Sequence, residues 1–382
     1  MCKIIRKSIL TAFFISLIVF YAINCFASVR IGIPTQISPD DLLLSSYASS
    51  GSALQIRGTT LAYNNLGSIW SINDDGQPSR LFDKGTVFAV MEASKSISSS
   101  YRGWRFEYGN GLRNAYEGNT AAGQLWVDLH ASGERKSADY SPVMTSARVN
   151  AAWYGLGRDF PIRAGDLQGT GSIFVRRITD ADYLSYSLAG QMTGEDFSGM
   201  LKITSSHEGA ENILGQGWSV DAHADIMMGS RWRGRVSAES LLGEITWHGL
   251  SVDDGFILSP RVIVNSDGFL KEVGGDFTGA HWHEDLKVRL SPSYRLDLIR
   301  KGSPDLLLGV AYQSGIKAVP DIGLMWPQTR NWAPFLRLYP TQRCLEIGAV
   351  GRGWMFRISG DDWVFANPKH AEIALTAGVA KF

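Results

Sequence analysis

Polar and apolar residues alternate along much of the chain, and the alternation is clearest between Gly217 and Leu242. In residues 218–225 the even-numbered positions are apolar and the odd-numbered positions are polar or charged. Residues 231–239 repeat the pattern, with arginines, serine and glutamate at the odd positions. A period of two predicts β-strands with two unlike faces. A charged face opposite an apolar face that carries Trp is typical of a transmembrane β-barrel, which turns the apolar face to lipid.

The shared parity of these two runs also predicts the turn between them. A two-residue loop would set apolar residues opposite charged ones across the hairpin. A three-residue loop, Gly229–Arg231, instead pairs Met228 with Trp232 and keeps both faces consistent. In this register Asp225 lies directly opposite Arg235, close enough for a cross-strand ion pair.

The same alternation predicts a second hairpin between His281 and Arg300. Its loop would again contain three residues, Ser291–Ser293. In that register Lys287 lies opposite Asp297 on the charged face. Two hairpins with the same arrangement of charges indicate one repeated wall rather than a unique site.

Weaker alternation continues over the remainder of the chain, for example at Tyr101–Tyr108, whereas the Gly-rich segment Pro161–Gly171 is interpreted as a loop folded into the lumen. Transmembrane strands of about 9–11 residues would number about 14–18 in this length, with about 16 as the central value. The sequence therefore predicts an all-β fold, a transmembrane antiparallel up-and-down β-barrel, as a single domain over residues 51–382.

The N-terminal residues predict export. Three basic residues precede an apolar run from Ile9 to Ile23, and Cys25–Ala27 follows as a small-x-small cleavage site. We therefore expect a signal peptide over residues 1–27, with an N-terminal membrane anchor as the alternative. Residues 28–50 are Ser-rich, contain two prolines, and are expected to form an irregular extension inside or beneath the barrel.

Composition narrows the function classes. The whole chain carries 37 basic and 37 acidic residues, so its charge gives no argument for nucleic acid as a partner. Beyond the predicted signal peptide only Cys344 remains, which leaves no intramolecular disulfide. No G-x-S-x-G motif and no phosphate loop is present, so we predict no cofactor and no enzyme. An outer-membrane lipid-modifying enzyme stays open as an alternative, since such enzymes need no soluble-hydrolase motif.

The C-terminal strand adds a resemblance. The chain ends AEIALTAGVAKF, with Phe382 terminal, although Ile373, Leu375 and Ala377 form an apolar parity that Phe382 does not share. Together with the signal peptide and the hairpins, this ending resembles that of bacterial outer-membrane β-barrel proteins, at the level of architecture and with no specific family matched. The resemblance implies the outer membrane of a Gram-negative-type envelope. It also implies two partners, the lipid bilayer and the assembly machinery that recognises a C-terminal strand ending in Phe.

The charged faces of the predicted strands form the main candidate site, because in a barrel they would line the lumen. Opposed acidic and basic side chains there would filter solutes by charge and size. We name this set the predicted charge ladder. Its members are Asp221, His223, Asp225, Arg233, Arg235, Glu239, Arg261, Lys287, Arg289 and Asp297.

Two smaller sets of candidate residues are carried by strands. On a strand, His281, His283 and Asp285 would project from one face and could share a divalent metal, with a solvated, pH-sensitive rim as the alternative. The Trp residues are predicted to anchor the barrel at the two membrane interfaces. The predicted anchors are Trp218, Trp232, Trp247 and Trp354.

The sequence favours a porin-like channel or transport protein for small hydrophilic solutes. Two alternatives stay open. The first is a barrel with a structural or assembly role, whose lumen is closed by residues 28–50 or 156–171. The second is a secreted, soluble β-sandwich that binds polysaccharide through exposed Trp side chains.

Overall fold

The computed structural model describes residues 53–64, 87–124, 139–165, 167–193, 196–208, 211–259, 262–264, 270–272, 276–313, 318–326, 332–351, 354–361 and 370–380. The signal peptide, the extension 28–50, Arg261 and Phe382 lie outside these ranges, so those predictions stay predictions. Within the described residues no helix is long and apolar enough to span a bilayer.

Nearly all of the described residues belong to β-strands, apart from a short helix over residues 120–124. The strands are β1 (Ala53–Asn64), β2 (Val87–Tyr101), β3 (Trp104–Gly118), β4 (Val143–Ala164), β5 (Leu167–Thr193), β6 (Asp196–Ser205), β7 (His207–Glu208), β8 (Glu211–Asn212), β9 (Gly215–Met228), β10 (Trp232–Ser259), β11 (Val262–Val264), β12 (Leu270–Glu272), β13 (Asp276–Arg289), β14 (Ser293–Arg300), β15 (Asp305–Gln313), β16 (Val319–Met325), β17 (Trp332–Tyr339), β18 (Cys344–Gly351), β19 (Trp354–Gly360) and β20 (His370–Ala380).

The main sheet is antiparallel and closes into a barrel, because β1 pairs with β2 on one edge and with β20 on the other. Two positions of the barrel are each filled by two strands laid end to end. Strands β6 and β9 pair with successive parts of β5 and β10, and β13 and β14 pair with successive parts of β10. The closed barrel therefore has 14 strands. This confirms the predicted all-β barrel and lies within the predicted range, below its central value.

Side-chain exposure separates the two faces of the barrel. On β20, Ile373 and Leu375 are more than half exposed, whereas Thr376 is fully buried. On β9 and β10, Ser219 and Arg235 are buried while Val236 is half exposed. On these strands the alternation therefore puts apolar side chains on the outer surface and polar side chains inside, which is the pattern typical of transmembrane barrels.

The hairpin of β9 and β10 around residues 229–231 has the predicted register. Met228 pairs with Trp232 and Asp225 pairs with Arg235. The turn contains Gly229 in the left-handed region, at φ 64°, which glycine adopts without steric cost. The Gly229-Ser230 turn residues and the parity of the flanking runs together predicted this turn correctly.

The second predicted hairpin is wrong. Strands β13 and β14 run in the same direction, since Arg289 pairs with Glu244 of β10 and Ser293 pairs with Glu239. The chain leaves the ladder only over residues 290–292 and then continues. Pro292 lacks the N–H that a ladder needs, so it interrupts the strand without reversing it. The alternation of apolar and polar residues continues in the same phase after a three-residue break in a strand as after a three-residue turn. The sequence pattern therefore could not distinguish a break from a turn.

Two further segments differ from their predictions. Tyr101–Tyr108 is not one strand, because Arg102 and Gly103 form a turn between β2 and β3. The Gly-rich segment Pro161–Gly171 is part of the barrel wall and not a loop in the lumen, since it contains the β4–β5 hairpin. A Cβ at Gly171 would collide with the ring of Phe160, so this glycine allows close packing across the hairpin. Residues 156–171 therefore do not close the lumen.

The connections differ at the two ends of the barrel. At the end that holds the start of β1 and the end of β20, the next strand begins within a few residues, as at 102–103, 229–231 and 301–304. At the other end the connections include residues 65–86 and 119–142. We call these the turn end and the loop end. In outer-membrane barrels the short turns face the periplasm and the long loops face outward.

Candidate functional site: the barrel interior

A cavity of about 90 Å³ lies inside the barrel, between β1–β3 on one side and β5, β9 and β10 on the other. Its walls come from the inward faces of strands that are far apart in sequence. The charged residues that line it are Arg57, Arg105, Glu107, Arg176, Asp221, Arg235 and Glu239, and the neutral polar residues are Gln55, Ser96, Ser98, His223 and Ser237. Both signs of charge therefore face the same small volume.

Arg176 lies at the centre of this lining. Its Nε is 3.2 Å from Glu107 Oε1, and its Nη1 also bonds Asp221. Trp153 Nε1 donates to Glu107 Oε1 at 2.7 Å, and the Ser240 N–H donates to Asp221 Oδ1 at 2.8 Å. Each carboxylate thus accepts from a second donor besides the guanidinium, which fixes the orientation of both.

A glycine between the partners makes this arrangement possible. Glu107 on β3 and Arg176 on β5 are in register with Gly155 on the intervening strand β4. Because Gly155 has no side chain, the Phe174 ring and the Arg176 side chain can lie over it, and the guanidinium reaches Glu107 from there. A related arrangement occurs on β14, β15 and β16, where Gly309 lies in register between Asp297 and Asp321, and the two carboxylates share Arg295.

A second set of buried charges crosses β14 to β20. Three arginines alternate there with four carboxylates. Arg295 Nη2 lies 2.8 Å from Asp297 Oδ1 and 2.7 Å from Asp321 Oδ2. Arg337 Nη1 is 3.4 Å from each of those two residues, and Arg357 bonds Glu346 at 2.7 Å and also Glu372. We name these seven residues the buried ion-pair network. Buried charges are tolerated when they are paired and hydrogen-bonded in this way.

Apolar side chains also face inward. The largest cluster includes Trp247, which is fully buried, packs on Tyr183 with ring centroids 5.1 Å apart, and donates from Nε1 to the Ala181 carbonyl at 2.6 Å. Ile178 and Trp153 belong to the same cluster. The interior is therefore divided into charged and apolar regions rather than uniformly polar.

Most of the predicted charge ladder faces inward, as expected from its parity. The inward-facing members are Asp221, His223, Asp225, Arg233, Arg235, Glu239 and Asp297. Lys287 and Arg289 are an exception, because their neighbours Leu286 and Val288 pack into the interior cluster. These two side chains therefore lie on the outer face, where Lys287 pairs with Glu244 at 2.8 Å. Assigning them to the lumen was wrong, because this part of the lumen is apolar.

One predicted membrane anchor, Trp247, was also assigned to the wrong face of the barrel wall. Trp247 is inside the barrel and is not an interface residue. Trp218 and Trp354 are 37% and 40% exposed, and Trp232 is on the outer face of the central hairpin. Because the interior contains an apolar cluster, an apolar side chain on an alternating strand does not by itself show that this face of the strand contacts lipid.

The proposed metal ligands do not come together. His281 Nδ1 is 2.8 Å from Asp253 Oδ1, whereas Asp285 pairs with His248 at 2.9 Å. His281 and His283 are edge-to-face neighbours with centroids 5.4 Å apart. In the part of the chain that the structure describes, no three His, Cys, Asp or Glu side chains are grouped closely enough to hold a metal ion.

Sequence reasoning did not single out most of the buried ion-pair network. Strands β16 to β19 each carry a single charged residue in an otherwise apolar run, respectively Asp321, Arg337, Glu346 and Arg357. A lone charge in an apolar strand is costly unless it has a partner. That isolation is the signal that would have identified these four residues together.

No family model matches the chain, and no curated protein matches it. Among solved structures, a TodX mutant described as a monoaromatic hydrocarbon channel aligns with 90% of this chain and 93% of its own, at 10% identity and a TM-score of 0.48. The Pseudomonas putida toluene transporter TodX aligns over 92% and 98%, at 10% identity and a TM-score of 0.44. The translocator domain of the autotransporter NalP from Neisseria meningitidis aligns over 90% and 93%, at 9% identity and a TM-score of 0.29. In architecture, the chain is similar to outer-membrane β-barrel proteins.

Proposed function

We propose that this protein is an outer-membrane β-barrel that passes small solutes through its lumen, and that the charged cavity around Arg176 is the place where they are selected. The observation that carries this proposal is the cavity itself, lined by both acidic and basic side chains inside a closed barrel. Fixed charges of both signs at a constriction favour hydrophilic solutes and reject others by charge and size.

The outer surface supports the membrane location. Large apolar side chains are exposed around the barrel, for example Phe106 at 52%, Leu156 at 46% and Leu375 at 54%. A soluble protein rarely exposes so much contiguous apolar surface. Trp104 and Trp354 lie beside short turns, where an aromatic belt is expected at a membrane interface.

The second candidate is a barrel without a channel, with a structural role. The buried ion-pair network favours this candidate, because Arg337 and Asp321 have almost no exposed surface. A lumen filled at that level would support the wall without passing solutes. Electrical conductance separates the two candidates.

Refolded protein in a planar bilayer is expected to conduct ions, alone or after removal of residues 28–50. Replacing Arg233 and Arg235 with glutamine should shift ion selectivity toward cations by about threefold, since two positive charges leave the lumen. Glutamine is preferred to glutamate because a second acid beside Asp225 would be buried unpaired. The reversal potential under a salt gradient measures the shift.

The matched control replaces Arg148 and Arg289, two exposed arginines, with glutamine. The same number of charges is removed from outside the lumen, so the reversal potential should not move. A silent bilayer for both forms of the wild-type protein would reject the channel and leave the structural barrel.

Solute chemistry needs a separate measurement, because the interior cluster around Trp247 offers apolar contacts as well. In proteoliposomes, a pentose is expected to enter faster with the protein than without it, and Glu107→Gln should alter the rate for charged pentose derivatives more than for pentose itself. Entry of toluene but not pentose would instead assign the lumen to apolar solutes.

A further inference from the structure

Two cross-strand pairs of Trp and Arg lie on the outer surface beside short turns. Trp104 is in register with Arg158, and Trp232 is in register with Arg300. Arg158 Cζ lies 4.8 Å from the centroid of the Trp104 ring, and Arg300 Cζ lies 6.0 Å from that of Trp232. The two pairs occupy separate parts of the barrel at the same end, so the arrangement is repeated.

Further positive charge surrounds each pair. Arg102 Cζ is 5.1 Å from the ring of Tyr101 in the turn next to Trp104. Beside the other pair, the Lys301 N–H donates to the Arg231 carbonyl at 2.7 Å, which brings two basic turns together. We call Arg102, Arg158, Arg231, Arg300 and Lys301 the basic rim; all five are exposed.

Acidic residues at this end do not neutralise the rim as a whole. Asp159 turns inward, where it pairs with Arg105 at 3.1 Å and accepts from Ser172. Asp305 is buried and pairs with Lys301 at 2.9 Å. Among the described residues at the turn end, the arginines of the rim therefore present net positive charge beside exposed aromatic rings.

We propose that the basic rim binds the headgroups of anionic phospholipids in the leaflet at the turn end, with each Trp–Arg pair holding one phosphate. This inference rests on the proposed membrane location and does not depend on solute passage. When a guanidinium stacks on an indole ring, the flat face of the guanidinium contacts the ring. The N–H donors at the edge of the guanidinium then stay available for two phosphate oxygens. The ring itself occupies the interfacial level of the bilayer, where headgroups lie.

The test uses the full refolded protein in phosphatidylcholine vesicles that contain trace spin-labelled lipid. Electron paramagnetic resonance gives the fraction of label immobilised at the protein surface. Labelled phosphatidylglycerol is expected to associate about threefold to tenfold more than labelled phosphatidylcholine at low salt, because each basic residue near the surface attracts anionic lipid. In R158Q/R300Q most of this preference should be lost, because both Trp–Arg pairs then lack the guanidinium.

The matched control is R148Q/R289Q, which removes two exposed positive charges from the outer face of the barrel, away from the turn end. It should retain the full preference. R158K/R300K keeps the charge without the planar fork and should lose part of the preference, which gives a second test if the glutamine variant does not fold.

Equal association of the two labelled lipids with the wild-type protein would overturn the proposal. So would a control variant that loses as much of the phosphatidylglycerol preference as R158Q/R300Q does. Both outcomes leave an immobilised component, so the membrane location would stand. If neither label is immobilised, the membrane location fails first, and the lipid proposal fails with it.

Discussion

Arg295→Gln is expected to lower the free energy of unfolding by about 3–5 kcal/mol. Arg295 makes hydrogen bonds to both oxygens of Asp297 and one to Asp321, and all three residues are buried. Without the guanidinium, those two carboxylates would lose their shortest contacts and keep the longer ones to Arg337, at 3.4 Å. Urea unfolding in neutral detergent, followed by Trp fluorescence, measures the loss.

Arg300→Gln is the control on the same strand. Arg300 is exposed, so its replacement should change the unfolding free energy by about 0.5 kcal/mol or less in a neutral detergent. Equal stability of the two variants would mean that the buried ion-pair network is solvated in the folded protein. That result would favour an open lumen at this level and weaken the structural-barrel candidate.

Trp247→Ala is expected to cost about 3–5 kcal/mol, through the cavity it leaves and the lost hydrogen bond to Ala181. Trp354→Ala removes an outward ring and should cost about 1 kcal/mol. The same unfolding measurement compares them. Equal losses of stability in the two variants would instead support the prediction from the sequence that Trp247 is an interface anchor.

Much of the fold could be predicted because a strand in a barrel has two chemically different faces. At the central hairpin, Asp225 and Arg235 had to share a face, and this requirement determined the register. The barrel class followed from the same pattern. The number of strands did not follow, since two barrel positions are each built from two strands laid end to end.

The candidate site could be predicted only in part. Asp221 and Arg235 were found by alternation, whereas Arg176 was missed because its run of sequence, SIFVRRIT, places two arginines side by side on opposite faces. Only the register with Gly155 shows which of them faces inward. Lys287 and Arg289 were misplaced for a related reason, because the lumen beside them is lined with apolar side chains. Contacts between distant strands carry this information, and alternation along one strand does not.

The two interrupted barrel positions lie on either side of β10, and this has a consequence for folding. β10 sets the register of four partner strands, β6, β9, β13 and β14. Because a slip of one residue turns every inward side chain outward, an error in β10 would spread to both halves of the barrel. The β1–β20 seam joins strands from opposite ends of the sequence, so it has the highest loop-closure cost and is expected to form late. The middle of the chain, rather than either terminus, would then determine whether the barrel closes in register.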